Sequence, residues 1–247
     1  LPIFQSSTYQ YEGESSYESL RYIRLNNTPN HQALGAKLAA LEGAEAGLAV
    51  SSGMAAISDS ILAFLRSGDH LLVQNCIYGG TRDLITRELP RLGIESDFIE
   101  DLSAETLEKH LRDNTRMLYV ESITNPLMQI GNLLEAAEFA RRKGLISLID
   151  NTFPTPCNFR PIEIGFDVVL HSATEDLNGH SDIVAGAVVG KQEFVGKICS
   201  RNLHFGGTLD PHACFLLQRG MKTLPLRMKQ HNLNASSLAR FLADHPK

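Results

Sequence analysis

Cysteine is scarce and scattered. Cys76, Cys157, Cys199 and Cys214 form no CxxC pair, which removes a zinc ribbon and a thioredoxin-type redox motif. An excess of basic charge is missing as well. There are 23 Lys and Arg against 28 Asp and Glu, a net charge of −5 and a pI near 6.0, whereas a nucleic-acid footprint needs clustered cations. Apolar runs are short, the stretch 183–190 being typical, so no membrane crossing is expected. No basic segment followed by an apolar one opens the chain, and no signal peptide is expected. The phosphate-loop texts GxGxxG and GxxxxGKS/T are absent, which leaves a dinucleotide fold and an NTPase unsupported. His70, His110, His204, His212 and His231 lack metal-ligand spacing, so no metal is expected. What remains is a reduced, soluble, cytoplasmic globular chain of 247 residues, 43% of them hydrophobic, long enough to bury a large core without staples.

The pattern along the chain is that of an α/β fold. Residues 1–32 are polar and aromatic, with Tyr9, Tyr11, Tyr17 and Tyr22 among Ser, Asn and Glu; they read as an extended arm that needs a partner surface. Leu34, Leu38 and Leu41 then recur at helical spacing and stop at Gly43,. Beyond that point short aliphatic runs at 48–50, 70–74, 97–99, 117–120, 146–149, 168–170 and 183–189 alternate with amphipathic segments at 55–65, 81–92, 104–112, 133–143 and 193–202. Such alternation predicts a mainly parallel sheet with helices on both faces. The strands are near-continuously aliphatic, as two-sided burial requires. Segments 215–222 and 228–242 read as further helices. The chain opens at Leu1 without an initiator Met and closes inside a helical pattern, so a fragment of a longer protein is expected.

Ligands of open α/β sheets gather at the carboxyl ends of the strands, and the residues there form a coherent set. Ser52-Gly53-Met54 follows the first strand and opens a helix. That turn either cradles an anion such as a phosphate or is an ordinary serine-capped helix start. Asp150 ends another strand, followed by Asn151 and Thr152. A carboxylate at that depth needs a cation or strong donors; a protonated ring nitrogen of a cofactor, a helix cap and an internal salt bridge all satisfy it. Ser172 and Thr174 are two apart and share one face of an extended segment,. Tyr78 precedes Gly79-Gly80, where it either stacks on a flat ring or fills core. Asn125 stands just past a strand in Glu121-Ser122-Ile123-Thr124-Asn125-Pro126.

Together with Ser67-Gly68-Asp69-His70, Asp150-Asn151-Thr152-Phe153, His171-Ser172-Ala173-Thr174, Gly179-His180-Ser181-Asp182 and Arg219-Gly220-Met221-Lys222-Thr223-Leu224, these blocks resemble one family. It is the Cys/Met-metabolism group of pyridoxal 5′-phosphate (PLP) enzymes: cystathionine γ-synthase, cystathionine β- and γ-lyase and methionine γ-lyase. The blocks run in order over essentially the whole chain. The resemblance implies a fold-type I PLP-dependent transferase large domain: an arm (1–32), a PLP-binding domain (33–224), and the start of a linker helix (225–247) toward a C-terminal small domain that is not in this chain. It implies a homo-oligomer, a dimer of dimers, acting on a small sulfur amino acid, with neither nucleic acid nor membrane as partner.

By motif position, Gly53 and Met54 give backbone donors to the PLP phosphate, and Ser172 and Thr174 add hydroxyls. Tyr78 stacks on the ring, Asp150 with Thr152 beside it pairs with the ring N–H, and Asn125 lies near the phenolic oxygen. Tyr22 and Arg24 reach the phosphate of a neighbouring subunit. One position departs. The family's His-Ser-Ala-Thr-Lys block carries the lysine that forms the Schiff base, and here that position is Glu175, followed by Asp176 in place of an aromatic residue. A carboxylate cannot form an imine, so PLP, if bound, is held non-covalently. Two like charges at about 4 Å and an effective dielectric near 20 cost about 4 kcal/mol before relaxation. The family's arginine for the substrate carboxylate also has no match here by motif position. The reading is therefore a trans-sulfuration enzyme inactive as written, or alternatively a non-catalytic PLP-binding homologue or assembly subunit.

Overall fold

Seven runs of aliphatic residues become seven strands of one sheet, in a computed structural model that describes residues 1–246. Lys247, the last residue of the expected segment 225–247, lies outside the described residues. The strands are β1 (Ala46–Val50), β2 (His70–Gln74), β3 (Glu95–Ile99), β4 (Thr115–Glu121), β5 (Ile146–Asp150), β6 (Val168–Ser172) and β7 (Gly186–Gly190), and they lie in the order β1-β7-β6-β5-β4-β2-β3. All neighbouring pairs are parallel except those that β7 makes with β1 and β6. With β7 reversed against both neighbours, β1 points the same way as β6. The carboxyl ends of β1, β2, β4, β5 and β6 therefore share one edge of the sheet.

Helices cover both faces, and the period-two alternation of strand side chains sorts the core into two clusters. Leu72, Leu118, Val120, Ile149 and Val169 face α1 (Pro29–Glu42), α5 (Leu133–Lys143) and α8 (Pro211–Gly220), meeting Leu34, Leu38, Phe139 and Leu217. Leu71, Val73, Met117, Leu148 and Leu170 face α2 (Gly53–Phe64), α3 (Gly79–Asp83) with its continuation, and α7 (Gln192–Phe205), meeting Ile57, Ile61, Ile85, Val195 and Ile198. Helix α1 lies very close on β1. A Cβ on Gly35 would stand 2.3 Å from the Gly47 carbonyl oxygen, an approach only glycine permits.

The remaining helices are α4 (Ala104–His110), the single turn α6 (Thr155–Asn158) and α9 (Leu224–Ala243). Most expected boundaries shift by a few residues, α8 beginning at Pro211 rather than 215 and α9 at Leu224 rather than 228, and two of the shifts have a clear local cause. The helix expected over 81–92 is broken into α3, a π-turn at Leu84–Glu88 and a 3₁₀ turn at Leu89–Leu92. Pro90 lacks the N–H that would continue the ladder, and the Leu89 N–H reaches back to Leu84 O,. The strand expected over 183–189 begins at Gly186; Ile183 and Val184 are aliphatic but belong to the β6–β7 connection, where Val184 is 62% exposed. That connection turns the chain back without a crossover helix. The expected divisions at 32/33 and 224/225 fall inside α1 and at the start of α9. None of the described helices is long and apolar enough to cross a membrane.

Candidate cofactor site

At the shared strand edge lies a cavity of about 420 Å³ lined by Ser52, Gly53, Met54, Ile57, Tyr78, Glu121, Ile123, Asn125, Asp150, Thr152, Phe153, Ser172, Thr174, Glu175 and Val184, a size suited to a small cofactor. The candidates Gly53, Met54, Tyr78, Asn125, Asp150, Thr152, Ser172, Thr174 and Glu175 thus meet in one place. Tyr22 and Arg24 are not among its lining. Arg24 donates to Leu203 O at 2.7 Å and to the Tyr17 hydroxyl, and stacks over Tyr22.

One part of the lining is built for an anion. β1 ends at Val50, and Ser52, extended at φ −165°, caps α2 by accepting from the Ala55 N–H at 3.0 Å. The Gly53 and Met54 N–H groups have no protein acceptor among the described residues, so the positive end of a twelve-residue helix faces the cavity with donors free,. Gly53 sits against β6: a Cβ there would come within 2.8 Å of Ser172 Cβ. Ser172 N–H donates to Thr152 Oγ1 at 2.8 Å, and its own hydroxyl has no protein partner among the described residues. Thr174 is committed elsewhere, its hydroxyl exchanging bonds with the Ala185 backbone at 3.2 and 3.3 Å.

The other part is acidic. Asp150 Oδ1 accepts from the Thr152 N–H at 2.9 Å and the Thr152 hydroxyl at 2.5 Å, leaving Oδ2 for a ligand. Burial raises the Asp150 carboxyl above its usual range, and Glu175 adds to the rise, while the Thr152 bonds and His171 oppose it. Beneath it, buried His171 Nε2 lies 2.7 Å from Glu42 Oε1, which also accepts from Asn151 Nδ2. Glu121 joins two loops: its Oε1 accepts the Tyr78 N–H at 2.7 Å and its Oε2 the Asn125 N–H at 3.0 Å. Burial pushes its carboxyl up to about 7 against those two bonds. Glu175 is exposed, and its side chain makes no hydrogen bond or ion pair among the described residues. Among the described residues, no Lys, Arg or His lines the cavity. The neighbouring Asp176 is turned toward His231, at 3.9 Å, and is raised chiefly by burial.

The free donors at Gly53 and Met54, the unpartnered Ser172 hydroxyl and the open oxygen of Asp150 fit a ligand with a phosphate and a protonated ring nitrogen. The donor set does not fit covalent capture of an aldehyde, because no amine lines the cavity among the described residues. Sequence reading missed Glu121, whose place at the end of β4 was the available signal, and the apolar contacts Ile57, Ile123, Phe153 and Val184.

The model of the family described as "Cys/Met metabolism PLP-dependent enzyme" matches residues 1–247. A cystathionine gamma-lyase of Bacillus subtilis is 44% identical over 251 residues, covering 100% of this chain and 65% of the relative. A cystathionine beta-lyase MetC of the same organism is 38% identical over 247 residues, covering 100% of this chain and 63% of the relative. The crystal structure of cystathionine gamma-lyase from Lactobacillus plantarum complexed with L-serine superposes with a TM-score of 0.93 at 38% identity, covering 99% of this chain and 64% of that one. The chain spans about 65% of the length of these relatives.

Proposed function

This chain belongs to the Cys/Met-metabolism family of PLP-dependent enzymes, and from that premise we propose that its cavity is the PLP site of a trans-sulfuration enzyme acting on cystathionine or a related sulfur amino acid. The fold is the fold-type I large domain, a mixed sheet covered on both faces. The observation that carries the proposal is the meeting, in one cavity, of residues drawn from five strand ends. Each offers what one part of PLP needs.

Gly53 and Met54 N–H groups and the Ser172 hydroxyl hold the phosphate. The Thr174 hydroxyl donates to Ala185 O and accepts from its N–H, shaping the turn rather than holding the phosphate. Asp150 Oδ2 holds the proton on the ring nitrogen, and Thr152 orients that carboxyl. Tyr78 covers the ring, Asn125 stands by its phenolic oxygen, and Glu121 fixes both loops. When bound, PLP supplies an electron sink for charge developing beside the substrate's α-carbon, the basis of elimination or γ-replacement at a sulfur-bearing carbon. Glu175 has no amine to attach the aldehyde or to exchange it for the substrate's, so this chain holds PLP non-covalently and is inactive as written. Residues 1–32 serve as an arm that brings Tyr22 and Arg24 to a neighbouring subunit, which keeps an assembly role open to an inactive chain.

The test is titration with PLP followed by visible absorbance, borohydride reduction and intact mass, for the chain and for Glu175→Lys. The expected result is no stable adduct in the chain and a one-to-one adduct mapped to position 175 in the variant. A stoichiometric adduct at one of the chain's own lysines would refute the non-covalent reading. An unperturbed PLP spectrum with both proteins would refute the cofactor site.

A further inference from the structure

Of the carboxyl side chains in the cavity, Glu121 and Asp150 are engaged with the backbone of Tyr78 and Asn125 and with Thr152, respectively. Glu175 is not. Its carboxylate is exposed, unpaired and within electrostatic reach of both Asp150 and Asp176. Among the described residues, no cationic side chain lines the cavity to offset these groups.

An aldehyde brings only further lone pairs to a free carboxylate. A primary ammonium brings three N–H donors and a positive charge, and charge-assisted bonds of that kind are the strong ones. Glu175 in place of the family's lysine therefore reverses the polarity of the protein at the position that, by the family resemblance, would meet the ring's 4′ substituent. The matching ligand is reversed as well. We infer that this chain takes the aminomethyl form of its cofactor, pyridoxamine 5′-phosphate, in preference to the aldehyde form, with Glu175 as the partner of its ammonium. This rests on the reading of the cavity as the cofactor site. Phosphate and ring nitrogen are common to the two forms, so Gly53, Met54, Ser172 and Asp150 contribute equally to both, and the difference in affinity isolates Glu175. Binding is reversible and makes no covalent bond.

The test is calorimetric titration of the 247-residue chain and of Glu175→Gln with each form in turn, folding being checked by thermal unfolding. Glu175→Gln keeps the shape of an exposed side chain and removes only its charge. Borohydride reduction and peptide mapping separate aldehyde trapped on surface lysines from aldehyde in the cavity. The amine form is expected to bind about tenfold more tightly than the aldehyde, and Glu175→Gln to lose most of that preference by weakening the amine form alone. Equal or tighter binding of the aldehyde by the chain, or a preference unchanged in Glu175→Gln, overturns the inference while leaving the cofactor site standing. Binding of neither form by either protein overturns both.

Discussion

The two parts of the cavity lining were shaped by different demands. The part made by the start of α2 and the end of β6 is neutral: Gly53, Met54 and Ser172 present N–H and hydroxyl groups, and Gly53 fits only because it has no side chain. The part made by β4, β5 and the β6–β7 turn is acidic, with Glu121, Asp150 and Glu175 and no cation among the lining residues. On the proposed reading, the neutral part would recognise a phosphate whatever the ring carries, and the acidic part would decide which form of the ring is welcome. A pocket so divided would keep its grip on the phosphate while a single residue changes the chemistry at the other substituent.

The acidic part gives the largest expected effect. In the unfolded chain Glu121 loses its proton near the ordinary value of 4.5, and in the folded chain near 7. Between those values the folded chain holds the extra proton, so stability falls as pH rises through the interval and stays lower above it. The drop is about 3 kcal/mol, and Asp150, also raised by burial, acts in the same direction. Urea melts of the ligand-free chain across that range should show the fall, and Glu121→Gln should flatten most of it. An unchanged slope in the variant would remove Glu121 as its source.

The neutral part is tested by Gly53→Ala. Its Cβ would meet Ser172 Cβ at 2.8 Å, and relieving that contact moves the first turn of α2 away from β6. The cost is about 2 kcal/mol of stability in thermal melts, with a loss of affinity that is the same for both cofactor forms. A loss confined to one form would show that the two parts do not act separately. The smallest effect is expected from Ser52→Ala, which deletes the cap on the Ala55 N–H. It should lower stability by about 1 kcal/mol in thermal melts and leave the preference between amine and aldehyde unaltered.

Much of this was legible in the sequence, for a physical reason. Two-sided burial writes strands as aliphatic runs, so His70–Gln74 was expected with the bounds observed, and strand-end residues such as Asp150 and Ser172 stand out as polar punctuation. The same cue failed where aliphatic residues are exposed, as at Val184, and where Pro90 redirects a helix without ending it. Glu121 escaped notice because its importance lies in two loop N–H groups that converge on it from positions 78 and 125. No local text records such a convergence. Thr174 was expected to donate to a phosphate, yet its hydroxyl is bonded to Ala185, a partner set by the turn into β7.

The most direct test of the cofactor site is a crystal structure of this chain grown with pyridoxamine 5′-phosphate. The expected density places the phosphate on the Gly53 and Met54 N–H groups and Ser172, the ring nitrogen on Asp150 and the ammonium on Glu175. A ligand bound away from this strand edge, or one in the cavity with its phosphate turned from the start of α2, would contradict the account.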